Sequence, residues 1–181
     1  WGAVDPESGG WATRLRNYFE SKGLRADQAV DVYNLGISGD NTDDLISRFS
    51  TEMIAREPNV IVFAIGINDS QFVVSENKNR VSIEKFRNNL ESMIDTSREK
   101  DCKVILIGLT RVDESKTTPI PWNTDKEYLN EYIEKYDSEV KTIAKQKGLQ
   151  YVNISQTLQS EDLEDGLHPN TNGHKKMFEV I

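Results

Sequence analysis

Two residues near the C-terminus, Asp165 and His168 in the stretch DGLHPN, have the types and spacing of an acid–base pair. In a tight turn, this spacing can bring the aspartate carboxylate to the imidazole Nδ1 and leave Nε2 free to accept a proton. The same stretch is also typical of a surface turn in which His-Pro-Asn begins a final helix. Both interpretations stay open on this stretch alone. The nearby His174, beside Lys175 and Lys176, is predicted to be solvated.

Two further polar stretches follow apolar segments that have the composition of strands. In YNLGISGDNT, backbone N–H groups near Gly39 can form an anion-binding nest, or the stretch is a plain strand-to-helix turn with Asp40 or Thr42 as N-cap. In AIGINDS, Asn68 places a carboxamide just past a buried strand, where its N–H₂ can donate to an oxyanion. Asn is also common in ordinary turns, so neither stretch determines a function by itself.

The elements that must position these residues follow an alternating pattern. Four apolar runs predict β-strands at residues 29–36, 59–66, 103–110 and 149–155. The second and third runs are nearly continuous in Val, Ile and Leu, as in parallel strands covered on both faces. Helical patterns lie between them, so we predict an α/β fold with three layers and a doubly wound parallel sheet. Ligands of such folds bind beyond the carboxyl ends of the strands.

Two long connections, residues 70–82 and 111–125, follow strands and should border that edge of the sheet. Trp122, between Pro121 and Asn123, either anchors the second connection to the body of the protein or contacts substrate. The sequence leaves both roles open.

Composition narrows the class of partner. The chain has 181 residues, 36% of them hydrophobic, which suits a single domain over residues 1–181. A formal net charge of -8 gives no electrostatic support for binding nucleic acid, and no apolar run is long enough to span a membrane. Cys102 is the only cysteine, which excludes an intramolecular disulfide and Cys-based metal sites, and we predict it to be a small core residue.

Taken together, GISGD, GIND and DGLHPN resemble, in order and spacing, three conserved blocks of the SGNH (GDSL) hydrolase family. The resemblance implies a flavodoxin-like topology and a serine ester hydrolase that needs no metal or organic cofactor and acts on a small-molecule ester. It also implies that Gly39 and Asn68 form the oxyanion hole. Asp165 and His168 would then complete a Ser-His-Asp triad.

The family's first block, Gly-Asp-Ser, is absent from the chain, although Gly2 looks like the glycine that follows that serine. We therefore expect the nucleophile and its central strand, between residues 29–36 and 59–66, to precede Trp1. The last helical pattern also stops at Ile181 without a cap, so the domain is expected to be incomplete at both ends and the chain as written inactive. The single cysteine and the lack of a signal-peptide pattern favour the cytoplasm, but a leader could precede Trp1.

Three alternatives remain. A non-catalytic binding domain could keep the fold without the serine. A hydrolase could use Ser38 as nucleophile, although Asp40 stands where the G-x-S-x-G elbow requires its last glycine. A flavodoxin-like electron-transfer or receiver domain would share the topology, but neither accounts for DGLHPN.

Overall fold

The computed structural model describes Asp5, residues 7–25 and residues 29–181, so Gly2 lies outside the described residues. The helices are α1 (Trp11–Arg25), α2 (Thr42–Ile54), α3 (Ile83–Arg98), α4 (Glu114–Thr117), α5 (Asn130–Lys147) and α6 (Thr171–Val180). The strands are β1 (Val60–Phe63), β2 (Phe72–Val73), β3 (Lys78–Asn79), β4 (Lys103–Ile107), β5 (Lys126–Glu127) and β6 (Gln150–Val152).

The main sheet is parallel and has the order β1-β4-β6. Val62 lies opposite Ile105, and Leu106 opposite Tyr151. Successive side chains of a strand point to opposite faces, so Leu106 enters the core cluster that packs under α2, α3 and α5, whereas Ile107 enters a second cluster near α1 and α6. The predicted α/β fold with a parallel sheet and helices is confirmed.

One predicted strand was wrong. Residues 29–36 form no strand, and Tyr33 within them is 62% exposed. A strand requires a neighbour that pairs with its backbone groups, and no described strand lies beside this segment. Among the described residues β1 pairs only with β4, so its other edge carries no partner strand, and Val60 and Val62 are exposed there.

The two long connections are more ordered than their sequences indicate. Together they form a small antiparallel sheet of order β3-β2-β5, in which Phe72 lies opposite both Asn79 and Glu127. The Asp125 carboxylate accepts hydrogen bonds from the backbone N–H and the hydroxyl of Ser75. The two connections therefore form one unit instead of two independent loops.

The first and last helices are joined by buried polar groups. His174 is 5% exposed, and its Nδ1 lies 3.3 Å from the Trp11 backbone nitrogen, so its predicted solvation was wrong. The carboxylate of Asp5 accepts hydrogen bonds from the Thr171 hydroxyl and from Arg14. Burial alone would raise the pKa of Asp5, but these bonds and those from two backbone N–H groups lower it to about 2.

Cys102 is buried, as predicted, and its thiol donates to the Pro58 carbonyl. Within the described ranges, no helix has both the length and the apolar character needed to cross a bilayer.

Candidate active site

The stretch DGLHPN forms a tight turn that holds an aspartate against a histidine. One carboxylate oxygen of Asp165 accepts the backbone N–H groups of Leu167 and His168, at 3.0 and 2.8 Å. The other oxygen lies 2.7 Å from His168 Nδ1. No described residue bonds to Nε2, and the His168 side chain is 62% exposed. The geometry has the arrangement that a general base requires, with one ring nitrogen fixed and the other accessible.

The Asp165 carboxylate is suited to remain ionised. Burial raises its pKa, but hydrogen bonds from His168 and Leu167 outweigh that effect, and the net shift is downward. An ionised partner at Nδ1 favours the tautomer that carries its proton on Nδ1 and leaves Nε2 as an acceptor.

A glycine makes this turn possible. Gly166 has φ of +90°, and a Cβ there would lie 2.7 Å from the Lys116 Cβ and 3.1 Å from the Asp113 carbonyl oxygen. The Asp113 N–H donates to the Gly166 carbonyl at 2.8 Å. The turn that holds Asp165 and His168 is therefore packed directly against the second long connection.

The Gly39 turn immediately precedes α2. The Asp40 N–H donates to the Ile37 carbonyl at 3.3 Å, and Gly39 adopts φ of +84°. No described residue accepts a hydrogen bond from the Gly39 N–H. Asn41 then caps α2, because its side chain accepts the N–H groups of Asp43 and Asp44. A turn before a helix is present as predicted, but no strand leads into it, and the N-cap is Asn41 instead of Asp40 or Thr42.

Asn68 connects this turn to the end of β1. Its Nδ2 donates to the Asp40 carbonyl at 2.9 Å, and its Oδ1 accepts the Tyr128 hydroxyl at 2.6 Å. The structure thus brings together Asn68 and the Gly39 turn, the two stretches that the sequence predicted as oxyanion donors.

Tyr128, which donates to Asn68, is a deeply buried tyrosine. Its side chain is 3% exposed, and burial is the main reason that its pKa rises to about 12. The negative charge of Asp165 also raises this pKa, whereas the Arg80 cation and a hydrogen bond with Gln71 lower it.

The model of the GDSL-like lipase/acylhydrolase family matches residues 1–176. The chain belongs to this family.

One of two curated relatives of the GDSL-like chain is named for ester hydrolysis. An acetylxylan esterase from Xylanibacter ruminicola is 31% identical over 147 residues, which are 72% of this chain and 29% of that protein. An uncharacterized lipoprotein, YqeF, from Bacillus subtilis is 37% identical over 78 residues, which are 43% of this chain and 32% of that protein. The match thus spans about a third of the length of these curated relatives.

Solved structures share the fold of the GDSL-like chain. A GDSL-like lipase from Bacteroides thetaiotaomicron superposes with a TM-score of 0.70 and 22% identity, covering 97% of this chain and 82% of its own. A catalytic mutant of an acetylxylan esterase from Geobacillus stearothermophilus gives 0.72 and 20%, covering 95% and 79%. These structures share the α/β fold of this chain, with its parallel sheet and helices.

Three residues of the candidate site were not singled out from the sequence. Asp69 is fully buried and binds Thr42, Arg80 donates to the Gly39 carbonyl at 2.8 Å, and Tyr128 binds Asn68. In the sequence, only the position of Asp69 directly after Asn68 could have indicated that Asp69 belongs to the candidate site.

Ser38 is exposed in the Gly39 turn and makes no hydrogen bond to His168. Among the described residues no group of three or more His, Cys, Asp or Glu side chains is placed to hold a metal ion.

Proposed function

We propose that the full-length protein is a serine ester hydrolase in which Asp165 and His168 serve as the acid–base pair. The observation that carries the proposal is the bond between His168 Nδ1 and the Asp165 carboxylate, with Nε2 accessible. Membership of an acylhydrolase family and the esterase named among the relatives support the same class of reaction.

The nucleophile in this proposal is a serine that precedes Trp1, because the Gly-Asp-Ser block of the family is absent from the chain and no described hydroxyl bonds to His168. His168 Nε2 accepts the serine proton as the oxygen attacks the ester carbonyl. The imidazolium then protonates the leaving alcohol, and water hydrolyses the acyl-enzyme by the same route. Asp165 fixes the tautomer and stabilises the imidazolium.

The oxyanion of the tetrahedral intermediate would be bound by the Gly39 N–H and the Asn68 side-chain N–H₂. Support comes from two features of these donors. The Gly39 N–H is without a partner among the described residues, and the Asn68 carboxamide adjoins the same turn through Asp40. Fixed donors of this kind stabilise developing charge without reorganising during the reaction.

For the substrate, we propose an acetyl ester of a carbohydrate. The named acetylxylan esterase supports this class. The indole of Trp122 is 55% exposed, and its centroid lies 6.1 Å from that of the His168 ring with 31° between the ring planes. Ile120, two residues earlier, is 1% exposed and anchors this connection, so Trp122 is available to contact a sugar ring.

The test is an ester panel graded by acyl length and including acetylated xylooligosaccharides, assayed with the full-length protein. We expect turnover that is greatest for acetyl esters and lost in His168→Ala. Ser38→Ala serves as a matched serine control and should keep full activity. Turnover that is absent from the native protein would favour a non-catalytic binding domain, and loss in Ser38→Ala would assign the nucleophile to Ser38.

A further inference from the structure

The orientation of the Asn68 carboxamide determines whether it can act as an oxyanion donor. A half-turn about its last side-chain bond would exchange Nδ2 for Oδ1 and place an acceptor where negative charge develops. The Asp40 carbonyl can only accept, so it selects Nδ2 on its side at 2.9 Å. The opposite side of the amide then faces Tyr128, whose hydroxyl donates to Oδ1 at 2.6 Å.

Tyr128 is well suited to hold this orientation. Its hydroxyl stays protonated over the working range of an enzyme, because burial raises its pKa to about 12. Its backbone is fixed on both sides by Thr117, which accepts the Tyr128 N–H at 3.0 Å and donates its hydroxyl to the Tyr128 carbonyl at 2.8 Å. The tyrosine is therefore a fixed donor.

We infer that Tyr128 is the positioning residue of the oxyanion hole, where its hydroxyl holds the Asn68 amide with one N–H on Asp40 and the other free for substrate. This inference rests on the proposed function. A hydrogen bond into Oδ1 also polarises the amide and makes its N–H a stronger donor. Because Thr117 of the second long connection fixes the Tyr128 backbone, this connection would act on the chemistry as well as on the substrate.

The kinetic test uses full-length protein and p-nitrophenyl acetate. Tyr128→Phe should lower kcat by about tenfold and leave KM within about twofold, because one neutral hydrogen bond that acts in the transition state is lost. Tyr151→Phe is the matched control: its half-buried hydroxyl bonds to Asp137 and not to the site, so its kcat should equal that of the native protein. Circular dichroism confirms that both variants fold.

A double-mutant cycle distinguishes positioning from a separate role. If Tyr128 acts through Asn68, Tyr128→Phe should have no further effect on kcat once Asn68 is replaced by alanine. Two losses that multiply, or a Tyr128→Phe variant with native kcat, would overturn the inference.

A measurement independent of activity separates this inference from the proposed function. In ¹⁵N-labelled full-length protein, the Asn68 side-chain amide signals, assigned by their loss in Asn68→Asp, should shift in Tyr128→Phe and remain in place in Tyr151→Phe. Unchanged signals in Tyr128→Phe would overturn the positioning role even in an active enzyme. If the native protein has no esterase activity but the signals shift, the orientation stands and the proposed function fails.

Discussion

The Asp69 carboxylate accepts both the backbone N–H and the hydroxyl of Thr42, at 3.0 and 2.5 Å. These bonds join the turn after β1 to the first residue of α2. Asp69 directly follows Asn68, and Thr42 lies three residues after Gly39, so the bonds connect the segments of the two proposed oxyanion donors. Asp69 has no exposed surface, and Asn89 donates to the same Thr42 hydroxyl. A buried carboxylate thus holds the segments of the two proposed oxyanion donors together.

Ionisation of Asp69 should make the stability of the folded protein depend on pH. The pKa of Asp69 is raised from 3.8 to about 6, mainly by burial and also by the charge of Asp43, against the hydrogen bonds from Thr42. Between these values the folded protein holds a proton that the unfolded chain releases, so the contribution of Asp69 to stability falls as pH rises through this window. At 1.36 kcal/mol per pKa unit, the loss is about 3 kcal/mol.

Urea unfolding of the native protein and of Asp69→Asn at about pH 4 and about pH 7 measures this effect. The native free energy of unfolding should fall relative to that of the variant by about 2 kcal/mol between the two conditions, because at pH 4 the unfolded aspartate is already more than half ionised. Asp31→Asn, at an exposed aspartate, is the charge-matched control. An equal difference between native protein and Asp69→Asn at both pH values would contradict the assignment.

Asp165→Asn should lower kcat by a factor on the order of 10³ in the full-length protein, because an amide cannot stabilise the imidazolium and favours the wrong tautomer. The fold should persist, since the Asn Oδ1 can still accept the N–H groups of Leu167 and His168. Steady-state kinetics and thermal melting measure the two effects. A kcat within a few-fold of native would remove Asp165 from the acid–base pair.

Asn68→Ala should lower kcat by about 10² to 10³, the usual cost of one oxyanion donor. It also leaves the buried Tyr128 hydroxyl without its acceptor, which should reduce the free energy of unfolding by about 1–3 kcal/mol. Kinetics and urea unfolding of the same preparation test both parts. Near-normal turnover in a folded variant would exclude Asn68 from the oxyanion hole.

Trp122→Ala should raise KM for an acetylated xylooligosaccharide by about tenfold, since an aromatic contact with the sugar is lost. Hydrolysis of p-nitrophenyl acetate and the melting temperature should stay near native values, because the indole is more than half exposed. Trp122→Phe keeps an aromatic face and should recover part of the affinity. Equal KM values for native protein and Trp122→Ala on the oligosaccharide would argue against the sugar contact.

Sequence patterns predicted the parts of this fold that depend on local composition. Apolar runs predicted three of the four strands, since short apolar segments rich in β-branched and aromatic residues favour strands. The contact between Asp165 and His168 Nδ1 also followed from spacing, since it closes within one turn.

Features that depend on distant partners were not predictable in this way. Residues 29–36 have strand composition, but pairing needs a neighbour that no local pattern supplies. Tyr128 and Asn68 are 60 positions apart in sequence, and their bond exists only because β5 pairs with β2. The burial of Asp69 likewise depends on α2 lying against the turn after β1.

The hydrogen bond from Asp113 to Gly166 has a consequence for protein engineering. The segment that carries Trp122 begins near Asp113, and Asp113 is the residue that binds the turn of His168. Grafting this segment from another family member would therefore change the placement of the base together with the substrate-facing surface. Substrate specificity and catalytic rate should therefore evolve together in this protein. Only substitutions confined to the tip near Trp122 should alter the specificity without changing the rate.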